Sequence, residues 1–198
     1  MPEPSSCALI LLAAGASTRM GRPKQLLLIN GKPLLRHVVD AALAEPMSPI
    51  IVVLGANAAE IAPCLGGLPV HIIVNEDWAE GMSSSIRRGL EALAQSAPSA
   101  DRVIFALADQ PDLPRGHLAQ LIETQRSTGK SIIASECAGV RGPPVLFTAS
   151  YFPALLALHG DAGARALLQS HAADVAPVPL ASARDLDTPS DYRRYIDP

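Results

Sequence analysis

Leu9-Ile10-Leu11-Leu12-Ala13-Ala14-Gly15-Ala16-Ser17-Thr18-Arg19-Met20-Gly21-Arg22-Pro23-Lys24 runs from an apolar stretch straight into a loop of small residues. Leu9 to Leu12 suit a strand buried within a parallel sheet. Gly15 and Gly21 let the following backbone turn sharply and bring its N–H groups close to an anion. Arg19 and Lys24 supply positive charge, so the stretch reads as the opening of a phosphate cradle. Two similar motifs are excluded by spacing: there is no G-x-G-x-x-G, and Gly21 is followed by Arg22-Pro23-Lys24 rather than by the Lys-Ser/Thr of a Walker A loop. Alone, the same residues also describe a strand and a polar turn. The rest of the chain separates the two.

Outward from this loop, short apolar runs rich in β-branched residues alternate with stretches of helical period, the pattern of an α/β protein with a mostly parallel sheet. Strands are predicted over 8–13, 50–54, 70–74, 102–108, 131–135 and 144–147, with an edge strand over 174–178. Leu34, Leu35, Val38, Val39, Ala42 and Leu43 recur at helical spacing behind Pro33, a residue suited to a first helical turn. Further helices are predicted over 58–65, 84–95, 115–127, 151–158, 163–171 and 189–195. No period repeats. In open sheets of this kind ligands sit beyond the carboxyl ends of the strands, which directs attention to three places.

The first is the loop after Ala13. The second is Asp109, which follows the apolar run from Val103 to Ala108. A carboxylate there is costly to desolvate unless a cation meets it, a divalent metal being the usual partner; the alternative is a cap for the helix entered at Pro114 or Arg115. The third is Asp185-Leu186-Asp187-Thr188-Pro189, whose two acids alternate on an extended segment so that both point the same way. Thr188 before Pro189 already caps the last helix, leaving the acids to other work. A triphosphate cradle with Arg19 and Lys24, plus Asp109 and Asp187 able to hold Mg²⁺, is what nucleotidyl transfer requires, because charge must be neutralised on the α-phosphate while pyrophosphate leaves. No nucleophile context such as G-x-S-x-G competes with this reading.

Composition narrows the class. The 198 residues, 48% of them hydrophobic, fit one domain with a sizeable core. A formal net charge of −3 with scattered basic residues offers no stripe for a nucleic-acid backbone, so the expected partners are small molecules. Cys7, Cys64 and Cys137 are odd in number and far apart, which reads as reduced core thiols rather than disulfides or a zinc site. His37, His71, His117, His159 and His171 lack metal-ligand spacing and read as surface or packing residues. The N-terminal apolar run is too short to span a bilayer and lacks signal-peptide character, so a cytoplasmic protein is expected, and separately a monomer.

The run from Leu12 to Leu27 resembles the signature of the molybdenum-cofactor nucleotidyltransferases, within the wider nucleotidyltransferase family that includes sugar-nucleotide and methylerythritol-phosphate enzymes. The likeness continues through Gly81-Met82-Ser83-Ser84-Ser85-Ile86, Ala108-Asp109-Gln110-Pro111, Arg141-Gly142-Pro143-Pro144-Val145-Leu146-Phe147, Gly160-Asp161-Ala162-Gly163-Ala164-Arg165 and Asp187-Thr188-Pro189-Ser190-Asp191-Tyr192. It implies a Rossmann-like nucleotidyltransferase fold, a single three-layer α/β/α domain over 1–198. Leu12-Ala13-Ala14-Gly15 is similar to the cytidylyltransferase branch, whereas the guanylyl branch has a second glycine where Ala14 stands; its methyl narrows the site toward a pyrimidine.

The resemblance implies transfer of CMP from CTP to the terminal phosphate of molybdopterin cofactor, with Mg²⁺ and release of pyrophosphate. The alternatives are a guanylyl or other NTP transferase acting on another phosphate, and a carrier of the cofactor without catalysis. Arg19 and Lys24 would hold the triphosphate, with Leu12, Ala13, Ala14, Gly15 and Gly21 forming the nucleotide loop. Gly81, Ser84 and Ser85 would line base and ribose, Asp109 and Asp187 would hold the metal, and Arg141, Asp161 and Arg165 would face the acceptor. A client molybdoenzyme of the hydroxylase type is implied as partner. One departure is Pro143, where relatives have His or Asn; if that side chain touches the acceptor, the acceptor differs.

Overall fold

In chain order the strands are β1 (Cys7–Ala13), β2 (Leu28–Ile29), β3 (Lys32–Pro33), β4 (Ile50–Leu54), β5 (His71–Val74), β6 (Arg102–Leu107), β7 (Ile132–Cys137), β8 (Val140–Thr148) and β9 (Val175–Pro179). This is a computed structural model, and it describes residues 7–161 and 163–197. Ala162, part of one stretch that carries the family resemblance, lies outside the described residues, as do residues 1–6 and Pro198. The helices are α1 (Leu34–Leu43), α2 (Ala58–Ile61), α3 (Met82–Ser96), α4 (His117–Thr128), α5 (Phe152–Leu156), α6 (Arg165–Ser170) and α7 (Pro189–Ile196).

Seven strands form one sheet in the order β5-β4-β1-β6-β8-β7-β9, and β2 and β3 form a separate small hairpin. All neighbours in the large sheet pair parallel except those of β8, which runs against both β6 and β7. The sheet is therefore mostly parallel, as predicted. Because side chains alternate across a strand, β1 feeds two cores. Leu9, Leu11 and Ala13 join residues of α1, α2 and α4 on one face, while Ala8 and Ile10 join residues of α3, α5 and α6 on the other. Helices thus cover both faces of the sheet, giving three layers.

The chain goes from β1 outward to β4 and β5, then returns to the other side of β1 with β6. The connections after β1 and β6 leave in opposite directions, opening a crevice at their carboxyl ends. Leu12 pairs with Leu107 at the end of that register, so the loop after β1 and Asp109 after β6 start side by side.

The small differences from prediction have local causes. Helix 58–65 is α2 followed by a tighter 3₁₀ turn over Ala62–Leu65, with Pro63 in its first turn. The strands expected over 131–135 and 144–147 extend into a hairpin around Ala138 and Gly139, both at positive φ. Of the three thiols only Cys7 is in the core, where burial pushes it up to about 12; Cys64 and Cys137 are half-buried, at the end of the α2 segment and beside the hairpin turn.

Candidate active site

Lys24 is the hub of the crevice. Its Nζ donates to Asp109 Oδ2 at 2.5 Å and to Asp187 Oδ1 at 2.8 Å, joining residues 85 and 163 positions away in the chain. Arg19 Nη2 donates to the other Asp187 oxygen, Oδ2, at 2.8 Å. Burial lowers the Lys24 ammonium, but the facing Asp109 and Asp187 carboxylates outweigh it and hold the group above its ordinary value. For Asp187, burial raises and the Lys24 and Arg19 bonds lower more strongly, so its carboxyl sits below the usual range. Both groups are therefore charged at neutral pH.

Asp109 Oδ1 is buried and has no hydrogen-bond partner among the described residues. A buried carboxylate oxygen without a donor is costly, and a cation is the species that relieves it. No group of three or more His, Cys, Asp or Glu gathers for a metal among the described residues. Two carboxylates and few other protein ligands suit Mg²⁺ or Mn²⁺, which take remaining ligands from phosphates and water. The residues fit such an ion.

Above these acids lies a cleft of about 400 Å³ whose walls include Leu12, Ala14, Gly15, Trp78, Ser85 and Asp109. A second cleft of about 320 Å³ shares Leu12, Met82, Leu107 and Asp161 with the first, so the two adjoin along these residues. Its walls are largely apolar, with Gln110, Asp185, Asp161 and Arg165 as the polar groups. Gly81 makes the junction possible: at φ +106° it starts α3, and a Cβ there would lie 2.5 Å from Asp161 Oδ1.

Residues 9–175 match the family model described as the MobA-like NTP transferase domain. The chain belongs to this family. Among curated relatives it is similar to nicotine blue oxidoreductase of Paenarthrobacter nicotinovorans, at 35% identity over 81% of this chain and 80% of that one. It is also similar to the purine catabolism protein PucB of Bacillus subtilis, at 31% identity over 92% of each. Among solved structures, Rv0371c of Mycobacterium tuberculosis H37Rv matches with TM-score 0.88 at 29% identity over 99% of this chain and 100% of that one. The complex of Rv0371c with manganese matches with TM-score 0.82 at 28% identity over 97% and 98%. A divalent cation has thus been seen on a protein of this fold and similar sequence.

Within this family member the predicted residues divide. Lys24, Arg19, Asp109 and Asp187 come together, and Leu12, Ala13, Ala14, Gly15, Gly81 and Ser85 line the first cleft. Ser84 does not reach it: its hydroxyl donates to the Gly81 carbonyl at 2.8 Å and accepts from Asn75 Nδ2 at 2.9 Å, because consecutive helical residues point about 100° apart. Gly21, at φ +72°, ends the 3₁₀ turn Thr18–Met20 and is not part of the cleft wall. Asp161 and Arg165 line the second cleft, whereas Arg141 is turned to Glu136 at 3.0 Å across the β7–β8 hairpin. The acids of the last segment part company: Asp187 meets Lys24, while Asp185 accepts from Gln110 Nε2 at 2.8 Å and faces the second cleft. Asp109 is no helix cap, since α4 begins behind Gly116.

Three contributors were not singled out from sequence. Gln25 is buried under the loop, Trp78 walls the first cleft, and Gln110 pairs with Asp185. Gln110 follows Asp109 directly, so its neighbourhood to a strand-end acid was the available signal. Gln25 and Trp78 carry none.

Proposed function

We propose that this protein transfers CMP from CTP to the terminal phosphate of molybdopterin cofactor, releasing pyrophosphate, with Mg²⁺ held by Asp109 and Asp187. The observation that carries the reading is the Lys24-bridged acid pair beneath the loop, with Asp109 Oδ1 buried and unpartnered. When bound, the ion neutralises charge on the triphosphate as a Lewis acid. Lys24, kept charged by its two carboxylates, puts an ammonium at the floor of the cleft, where phosphate charge shifts as the bond to pyrophosphate breaks. Arg19, whose side chain is 69% exposed, reaches the same phosphates from the rim. The acceptor occupies the second cleft, whose apolar walls suit a flat ring and whose Arg165 suits its phosphate. Asp161, at the junction, touches both substrates.

Ala14 supports the pyrimidine. It lines the first cleft and is 7% exposed, so the wall there carries a methyl that a glycine would lack. CTP is expected to exceed GTP in kcat/KM by about 10- to 200-fold, the range for one such contact. The protein acts as a cytoplasmic monomer and hands its product to a hydroxylase-type molybdoenzyme.

A second reading, NTP transfer to a different phosphate acceptor, is favoured by Pro143, which lines the second cleft and stands where relatives have His or Asn. One experiment separates them. Each NTP is incubated with the protein, Mg²⁺ and molybdopterin cofactor, and pyrophosphate and nucleotide-extended cofactor are assayed. CTP-dependent formation of both is expected. Equal kcat/KM for GTP removes the cytidylyl assignment, and no pyrophosphate from any NTP removes molybdopterin cofactor as the acceptor.

A further inference from the structure

Gln25 is 1% exposed, an unusual position for a primary amide, and all of its hydrogen-bonding groups point at one loop. Its Nε2 donates to the Ala13 carbonyl at 2.8 Å and to the Gly15 carbonyl at 3.1 Å. Its Oε1 accepts from Ser17 Oγ at 3.3 Å, and Ser17 Oγ in turn accepts from the backbone N–H of Lys24 at 3.0 Å. The neighbouring carbonyls are also engaged, Leu12 by the N–H of Ala108 and Ala14 by the N–H of Ala56, each at 3.1 Å. Every carbonyl from Leu12 to Gly15 is therefore drawn into the protein.

The planar trans peptide turns this into a statement about donors. A carbonyl and the following N–H point in opposite directions, so fixing the Ala13 and Gly15 carbonyls on Gln25 turns the N–H groups of Ala14 and Ala16 away from it. Neither N–H donates to a partner among the described residues, and both residues line the first cleft. We infer that Gln25 is a positioning residue of the nucleotide loop, which holds the Ala14 and Ala16 N–H groups ready for triphosphate oxygens and, through Ser17, fixes the backbone of Lys24. The inference rests on the nucleotide-transfer reading above and adds a residue that never touches the reacting atoms.

Gln25→Met keeps the length of the side chain and removes both donors. The purified variant is titrated calorimetrically with CTP and with inorganic triphosphate in the presence of Mg²⁺, and its KM and kcat are measured beside a thermal melt. Loss of two hydrogen bonds to loop carbonyls is expected to raise both dissociation constants and the KM for CTP by about 10- to 100-fold, with kcat at saturating CTP within about threefold. Unchanged binding in the folded variant, or a fall in kcat with KM kept, overturns the inference. If Gln25→Met does not fold, Ser17→Ala decides: a weakening of about three- to tenfold for triphosphate supports it, and none overturns it. Binding of neither ligand by the unmutated protein overturns the transferase reading and this inference with it.

Discussion

Lys24 joins two carboxylates that would otherwise repel each other inside the crevice, and under the proposed function the same ammonium serves a phosphate when one enters. Lys24→Ala should therefore lower kcat/KM by about two to three orders of magnitude, the range for loss of one electrostatic stabiliser, as read by pyrophosphate release. Near-normal turnover would mean that the phosphates bind elsewhere. Asp109→Asn and Asp187→Asn keep shape and remove one charge each, so transfer should collapse in both and Mn²⁺ affinity, followed by paramagnetic resonance with CTP present, should fall. Cofactor binding without nucleotide should persist, because neither Asp109 nor Asp187 lines the second cleft, where the acceptor is proposed to sit. Full activity in both variants would remove the acids from catalysis. At this scale the sequence was legible where a charged residue ended an apolar strand, as at Asp109. It was silent on Gln25, since a polar residue beside a loop lysine carries no sign of being buried, and it named Ser84 beside Ser85, although adjacent helical residues point about 100° apart.

The last segment works as a strap that delivers Asp187. Leu186, 1% exposed, plugs into the core while its N–H donates to the Asp109 carbonyl at 3.0 Å, tying the two acids' backbones together. Beyond it α7 is locked by a capping box: Thr188 Oγ1 accepts from the Asp191 N–H at 3.2 Å, and Asp191 Oδ2 accepts from the Thr188 N–H at 2.8 Å. Tyr192 then donates to the Leu28 carbonyl at 2.7 Å and Tyr195 to Asp112 at 2.9 Å. Thr188→Ala removes the cap next to Asp187 and should cost about 1 kcal/mol in urea unfolding, with CTP turnover falling more at limiting than at saturating Mg²⁺. Unchanged stability would show that Leu186 and the two tyrosines hold the strap without the cap. Thr188-Pro189 announced this helix in the sequence. The β7–β8 hairpin was less legible, because Glu136, Cys137, Val140 and Arg141 project beyond the core and no burial enforces an alternation there.

Across the whole molecule, buried apolar runs alternating with helical stretches made the mostly parallel sheet legible, whereas the order of its strands, and with it the crevice between β1 and β6, came only from the structure. The antiparallel course of β8 was not legible, since an apolar run reads the same in both directions. That reversal is supported by a buried polar chain: His117 Nε2 donates to Ser135 Oγ at 2.8 Å, and Ser135 Oγ donates to the Pro144 carbonyl at 2.8 Å, joining α4, β7 and β8. Burial lowers the His117 imidazole below 6.5 and Glu45 only partly opposes it, so the folded protein keeps the ring neutral. Below about pH 6.5 the unfolded chain takes up a proton that the folded one refuses, so stability is full above that pH and falls as pH drops toward the folded value. The Asp187 contribution, from a lowered carboxyl, is lost only in the window below 3.8. Between pH 7.5 and 5.5 the unmutated protein should lose up to about 1.4 kcal/mol through this group. His117→Gln retains a donor for Ser135 and removes the titration, so its urea-unfolding free energy should change less over the same interval. An equal fall in both proteins would assign the acid sensitivity to other groups.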